Sequence, residues 1–125
     1  MDEKMILEIK ACGIDYEGTL HRFMNKQEMM VRFLKKFPDD TNYSQLLESI
    51  EKRDYGTAFR CAHTLKGVVA NLGIESIYGH VSQITELLRD KKEYEVDQQR
   101  LTEEIMLLKG KYVEVCTVIQ RIDSK

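Results

Sequence analysis

The chain has 125 residues, of which 42% are hydrophobic and 32% charged, a composition typical of one soluble globular domain. Nineteen Lys and Arg residues against 21 Asp and Glu give a formal net charge of -2, without the basic surplus expected of a nucleic-acid-binding protein. The sequence shows no signal peptide and no apolar run of membrane-spanning length. Its three separated cysteines suit a reducing compartment. We therefore expect a single domain over residues 1–125, located in the cytoplasm, without nucleic-acid or membrane partners.

The first third of the chain predicts three short helices. A single proline and seven glycines favour long helices over many strands joined by turns. Residues 2–11 suit a helix that ends at Gly13. Asp15 can cap a second helix and Asn25 a third, because both side chains accept hydrogen bonds from free amides at a helix start. Pro38 ends the third helix, since the residue before a proline is pushed out of the α region.

Three further helices follow in the middle of the chain. The first covers residues 42–52. Asp54 is a suitable N-cap for a long helix that runs to Asn71 or the next residue. Gly73 suits its C-terminal cap, where a left-handed residue is needed. Residues 75–90 form another amphipathic helix.

The last segment has the most regular apolar pattern, with spacings that alternate between four and three residues. Its members are Leu101, Ile105, Leu108, Tyr112, Val115, Ile119 and Ile122. Such a seam is typical of a free coiled coil or of a bundle helix. In a chain of this size the pattern favours the final helix of an antiparallel bundle.

The long helix carries the residues with chemical potential. Its small and apolar side chains gather on one face, which we call the core stripe: Ala58, Cys61, Ala62, Leu65, Val69 and Leu72. His63 projects almost opposite, with Phe59, Lys66 and Gly67 one turn away. Phe59 adds apolar surface suited to docking. A mid-helix glycine costs about 1 kcal/mol relative to alanine, and close approach of another molecule to the imidazole would explain Gly67.

This arrangement suits phosphoryl transfer. A neutral exposed imidazole is a competent nucleophile near neutral pH. A phosphoryl group attached to His63 would carry negative charge, which Lys66 could offset. A metal site shared by Cys61 and His63 is disfavoured, because residues two apart on a helix face different ways and zinc needs three or four converging ligands. We expect Cys61 to be a core residue, and His21 and His80 to be surface or helix-edge residues.

The run Ala62-His63-Thr64-Leu65-Lys66-Gly67, followed by Asn71-Leu72-Gly73, resembles the signature of histidine-containing phosphotransfer (HPt) domains. The resemblance covers roughly residues 5–90, and the tail matches only as an amphipathic helix. It implies an all-α fold, an antiparallel four-helix bundle with additional short N-terminal helices.

The resemblance also implies a function and roles for residues. His63 matches the phosphoacceptor, Lys66 the lysine that steadies the phosphoryl group, and Gly67 the glycine that leaves room for it. The implied partners are receiver domains of response regulators or hybrid histidine kinases, which bring their own Mg²⁺. The chain would be a phosphocarrier in a two-component phosphorelay that accepts a phosphoryl group on His63 and passes it on. We expect no cofactor bound by this chain and no ATP site, so it would be an intermediate rather than a turnover enzyme.

Some positions depart from the family pattern. Val68 stands where the family often has a small residue, and we expect it at the edge of the core stripe. Many members have a glutamine on the next helix that hydrogen-bonds the imidazole. Here Gln83 is the glutamine in that window, but counting along the helix favours Thr85, and the role stays unassigned.

Two other functions fit the same pattern. The bundle could dock receiver domains without covalent chemistry. It could also be a dimeric bundle similar to that of histidine kinases, with the final seam as its dimer interface. We favour the phosphocarrier and expect a monomer, because docking alone does not require His63, Lys66 and Gly67 together.

Overall fold

The computed structural model describes residues 1–123, which contain seven α-helices and two 3-10 turns, Phe37–Asp39 and Glu93–Glu95. The α-helices are α1 Glu3–Ala11, α2 Tyr16–Arg22, α3 Gln27–Lys36, α4 Thr41–Glu51, α5 Tyr55–Asn71, α6 Glu75–Leu88 and α7 Gln98–Arg121. Within this part of the chain, the β-structure is one isolated antiparallel bridge between Ile14 and Ile74. No helix in residues 1–123 has the length and apolar character needed to cross a membrane.

Helices α4 to α7 form the bundle. α5 packs between α4 and α6, and α6 packs against α7. The turns between α4, α5 and α6 are short, which makes consecutive helices antiparallel. The ring closes where Tyr43 of α4 stacks on Tyr112 of α7, with centroids 3.5 Å apart. The predicted all-α four-helix bundle with additional short N-terminal helices is therefore confirmed.

The core stripe of α5 and the seam of α7 meet inside this bundle. Every member of the core stripe is buried, as are all the seam residues except Tyr112, which is half-buried. The seam is thus used within the chain and is unavailable as a dimer interface. The free coiled coil and the seam-mediated dimer are both wrong for this physical reason.

The N-terminal segment is fastened to the turn between α5 and α6. The Asp15 amide donates to the carbonyl of Gly73 at 2.8 Å, and the Ser76 amide donates to the carbonyl of Gly13 at 3.1 Å. The buried Thr19 hydroxyl donates to the Leu72 carbonyl at 3.0 Å. These bonds satisfy carbonyls at the end of α5 and hold α2 beside it.

The predicted helix ends are mostly confirmed. Asp15 caps α2, and Asp54 caps α5 by accepting from the Thr57 amide at 3.2 Å. Gly73 has φ +67°, as the predicted left-handed cap requires. The Asn25 cap is wrong. Asn25 itself has φ +62° and lies in a left-handed turn, so α3 begins after Lys26 without a side-chain cap.

The end of α3 before Pro38 is confirmed, but the expected reason is wrong. Phe37, the residue before the proline, stays in the α region with φ -58° and ψ -44°. The helix ends at Lys36 because the chain tightens there into the 3-10 turn Phe37–Asp39.

Candidate functional site

Helix α5 turns His63 away from the core, as the sequence predicts. His63, Thr64 and Gly67 are exposed, while Lys66 is half-buried. Val68 is half-buried at the edge of the core stripe, where it was expected. The three predicted site residues therefore share one open face of α5. This face, comprising His63, Lys66 and Gly67, is called the histidine face below.

The imidazole of His63 is free of polar partners within residues 1–123, where it makes neither a hydrogen bond nor an ion pair. The ring stacks on that of Phe59, with centroids 6.0 Å apart and planes inclined by 18°. Both ring nitrogens are thus open to solvent or to a docked molecule. A nucleophile needs that access.

The ammonium group of Lys66 supplies positive charge to the histidine face. It lies 5.9 Å from the centroid of the Tyr78 ring on α6 and forms no salt bridge within the described residues. Its charge contributes to the lowered pKa of Glu86, after the larger effect of Arg89. Lys66 is therefore held near the face without being neutralised by a paired carboxylate.

Gly67 leaves open space beside the imidazole. A Cβ atom built at this position would meet no heavy atom within 4 Å. The same is true of Gly79 and Gly110. What distinguishes Gly67 is its place one turn from His63. No packing requirement within the described residues explains the helix propensity lost there.

The C-terminal end of α6 brings an ion pair to Phe59 that could not be seen in the sequence. The guanidinium of Arg89 lies 5.1 Å from the centroid of the Phe59 ring. Its Nε and Nη2 each donate to the Glu86 carboxylate at 3.1 Å. This bond lowers the pKa of Glu86 and raises that of Arg89, so both stay charged at neutral pH. Antiparallel packing about the Gly73 turn was the available signal, because it brings the end of α6 beside the start of α5.

Helix α6 gives the imidazole no hydrogen bond. The exposed Gln83 accepts one from Nη2 of Arg100 on α7 at 3.3 Å. Thr85 is fully buried, and its hydroxyl donates to the Val81 carbonyl at 2.8 Å. Neither candidate for the family glutamine contacts His63.

The other histidines and Cys61 have different surroundings. His21 is exposed, whereas His80 lies at the α6–α7 interface with Nδ1 2.9 Å from Oε2 of Glu104. Cys61 is buried in the core as predicted, and burial raises the pKa of its thiol. Across residues 1–123, no three His, Cys, Asp or Glu side chains are grouped to hold a metal ion.

A cleft of about 560 Å³ adjoins the histidine face on the side of α2 and α3. Phe23, Phe33, Val68 and Leu72 line its apolar part. Asn71, also in its lining, lies about 12 Å along α5 from His63. The cleft therefore lies beside the C-terminal half of α5, and its lining begins at Val68, next to Gly67 in the chain.

Fold and site together define a class: a helical bundle whose central helix presents an exposed histidine beside a lysine and a glycine, with no polar partner for the histidine in residues 1–123. The family model of the Hpt domain matches residues 28–124, and the chain belongs to this family. The match includes the whole of α7 and omits α1 and α2, so the family pattern lies further toward the C-terminus than roughly residues 5–90. Hpt domains carry out histidine phosphotransfer in phosphorelays and interact with receiver domains. Searches of curated proteins and of solved structures gave no match.

Proposed function

We propose that this chain is a phosphocarrier in which His63 accepts a phosphoryl group from the aspartyl phosphate of one receiver domain and passes it to another. The observation that supports this most is the exposed imidazole, which has no hydrogen bond within the described residues and lies one turn from Lys66 and Gly67. Membership of the Hpt family gives that geometry its chemical context.

The transfer step needs little from this chain beyond positioning and charge. One imidazole nitrogen attacks phosphorus, the N–P bond forms, and the P–O bond to the receiver aspartate breaks. The aspartate leaves as a carboxylate with the electrons of that bond. The second ring nitrogen keeps its proton, so no separate base is required. Transfer to the next receiver reverses these steps, and the Mg²⁺ that neutralises the phosphoryl oxygens belongs to the receiver.

Lys66 and Gly67 have complementary roles in this proposal. Lys66 stabilises the oxygens of the phosphorylated imidazole, because it lies one helical turn from His63 and its ammonium group is not paired with a carboxylate within the described residues. Gly67 lets the phosphoryl group and the receiver approach the backbone of α5, since the space beside it is open.

The receiver would cover the cleft as well as the histidine face. Phe33 is 42% exposed at the cleft, although Phe23 and Lys36 contact its ring, so part of its aromatic surface is open to a partner. Because α5 contributes both to the histidine face and to the lining of the cleft, we expect a receiver seated over His63 to bury this apolar surface as well. Phe33→Ser should therefore raise the receiver concentration needed for half-maximal transfer and leave the limiting rate little changed.

We further propose that the chain acts as a monomer and one domain in the cytoplasm. Cys12, Cys61 and Cys116 are free and buried, which is compatible with a reducing compartment.

The test is incubation with Mg²⁺ and a receiver that carries a labelled aspartyl phosphate. We expect acid-labile, base-stable label on the wild-type chain and on His80→Gln, a matched change at a histidine outside the site. His63→Gln should take up no label. Equal labelling of His63→Gln and the wild type would overturn the assignment. Tight receiver binding without label on any variant would instead support the non-covalent docking module.

A further inference from the structure

We propose that Phe59 is the positioning residue of the site, because its ring holds the imidazole of His63 in one orientation by stacking. The effect of Phe59 on the transfer rate rests on the proposed phosphocarrier function, whereas the stack of His63 on Phe59 does not depend on it. It assigns Phe59 a role beyond the exposed apolar surface that the sequence suggested.

The need for such a residue follows from the surroundings of His63. Its side chain is exposed and receives no hydrogen bond from Gln83 or Thr85, which are engaged with Arg100 and Val81. An exposed side chain without a polar partner ordinarily samples several rotamers. The contact that opposes this is the stack on Phe59, whose centroid distance of 6.0 Å lies within the range of favourable aromatic pairs.

Phe59 is itself held in place by two sets of contacts. Its ring is half-buried and packs against the hydrophobic core beneath α5. The guanidinium of Arg89 lies 5.1 Å from its centroid, and Glu86 fixes that guanidinium through Nε and Nη2. A cation above an aromatic ring is attracted to its π face. The platform under the imidazole is therefore anchored by the core and by α6.

A held imidazole affects the rate of the chemical step more than receiver affinity. In-line attack on phosphorus requires the ring nitrogen to point along one direction, and positioning is a large part of catalysis in phosphoryl transfer. A single aromatic pair corresponds to about a 2- to 10-fold change in an equilibrium or rate. We expect the loss of the stack to lower the limiting transfer rate by that factor.

The kinetic test compares Phe59→Leu, which keeps an apolar side chain of similar volume, with Phe59→Tyr, which keeps the ring. Phe59→Leu should lower the limiting rate about 2- to 10-fold at an unchanged half-saturating receiver concentration. Phe59→Tyr should keep the limiting rate of the wild type. Tyr94→Leu is the matched control, because Tyr94 is 82% exposed outside the site. A rise in half-saturating concentration at an unchanged limiting rate would overturn the proposal and make Phe59 a receiver contact.

A second test needs no receiver. NMR couplings of His63 in the free protein should report one dominant side-chain rotamer, and its ring protons should show the ring-current shift of Phe59. Phe59→Leu should average the couplings and remove the shift while circular dichroism stays unchanged, and Phe59→Tyr should keep both. Averaged couplings in the wild type would overturn the proposal. A held, Phe59-dependent rotamer without labelling by any receiver would refute the phosphocarrier function and support the positioning role.

Discussion

His63 and His80 occupy similar places in the fold but differ in their polar contacts. Each lies in the middle of a bundle helix, His63 in α5 and His80 in α6. His80 meets the carboxylate of Glu104 at 2.9 Å, and this contact joins α6 to α7. His63 has no polar partner within the described residues and rests on Phe59. The neighbouring helix, rather than the residue type, distinguishes a histidine that links two helices from one that is open to a partner.

Local charge reinforces this difference. A phosphoryl group on His80 would lie beside the carboxylate of Glu104, and like charges at that distance repel. A phosphoryl group on His63 would instead lie one helical turn from Lys66, whose ammonium group forms no ion pair within the described residues. The contrast can be tested by placing a carboxylate near His63 and by removing the side chain of His80.

The largest effect is expected from Lys66→Glu, which places a carboxylate near His63. Reversal of the charge converts attraction of the phosphoryl oxygens into repulsion, so we expect the transfer rate to fall by about tenfold or more. Rates of label transfer from a phosphorylated receiver give the measurement. Lys109→Glu is the matched control, because Lys109 is exposed on α7 away from the histidine face. Equal rates for the two variants would remove Lys66 from the site.

Substitution of His80 should lower the stability of the protein and leave phosphotransfer unaltered. His80→Ala removes the partly buried bond to Glu104, and we expect the free energy of unfolding to fall by about 1–2 kcal/mol. Urea unfolding measures this. His21→Ala, at an exposed histidine of α2, should stay within about 0.5 kcal/mol of the wild type. A His80→Ala protein of wild-type stability would show that the contact does not stabilise the bundle.

Features that lie within one helix could be predicted from the sequence, whereas contacts between helices could not. Burial imposes a helical period on apolar residues, so the core stripe of α5 and the seam of α7 could be predicted directly. The caps at Asp15 and Asp54 are equally local. Asn25 failed as a cap because asparagine also tolerates the left-handed turn, which the structure uses there.

Contacts between helices could not be predicted in the same way. His63, Lys66 and Gly67 share a face of one helix, and a helical wheel is enough to group them. The cation–π contact between Arg89 and Phe59 depends on the register and rotation of α6 against α5. The pair of His80 and Glu104 joins residues 24 positions apart on two helices. Such contacts follow from tertiary packing, which a single sequence does not display.

Gly67→Ala should change both the stability and the transfer rate, whereas Gly110→Ala should change the stability alone. Alanine fits the open space and is the better helix former, so the free energy of unfolding should rise by about 1 kcal/mol. Gly110→Ala should stabilise the protein similarly, because its surroundings are also open. Only Gly67→Ala should slow transfer, since its methyl group would lie where the receiver approaches. The checks are urea unfolding and transfer kinetics on both variants, and equal transfer rates would refute the steric role of Gly67.

The smallest effect is expected from Thr85→Val, at the position that counting along α6 placed opposite the imidazole. The Thr85 hydroxyl donates to the Val81 carbonyl, which the helix itself also supplies with a backbone donor. Valine has nearly the same shape, so the free energy of unfolding should change by less than about 0.5 kcal/mol. Transfer should be unchanged, because Thr85 gives His63 no hydrogen bond. A slower transfer with normal stability would show that the hydroxyl turns to the imidazole when the receiver docks, and it would return to α6 the orienting role that we assign to Phe59.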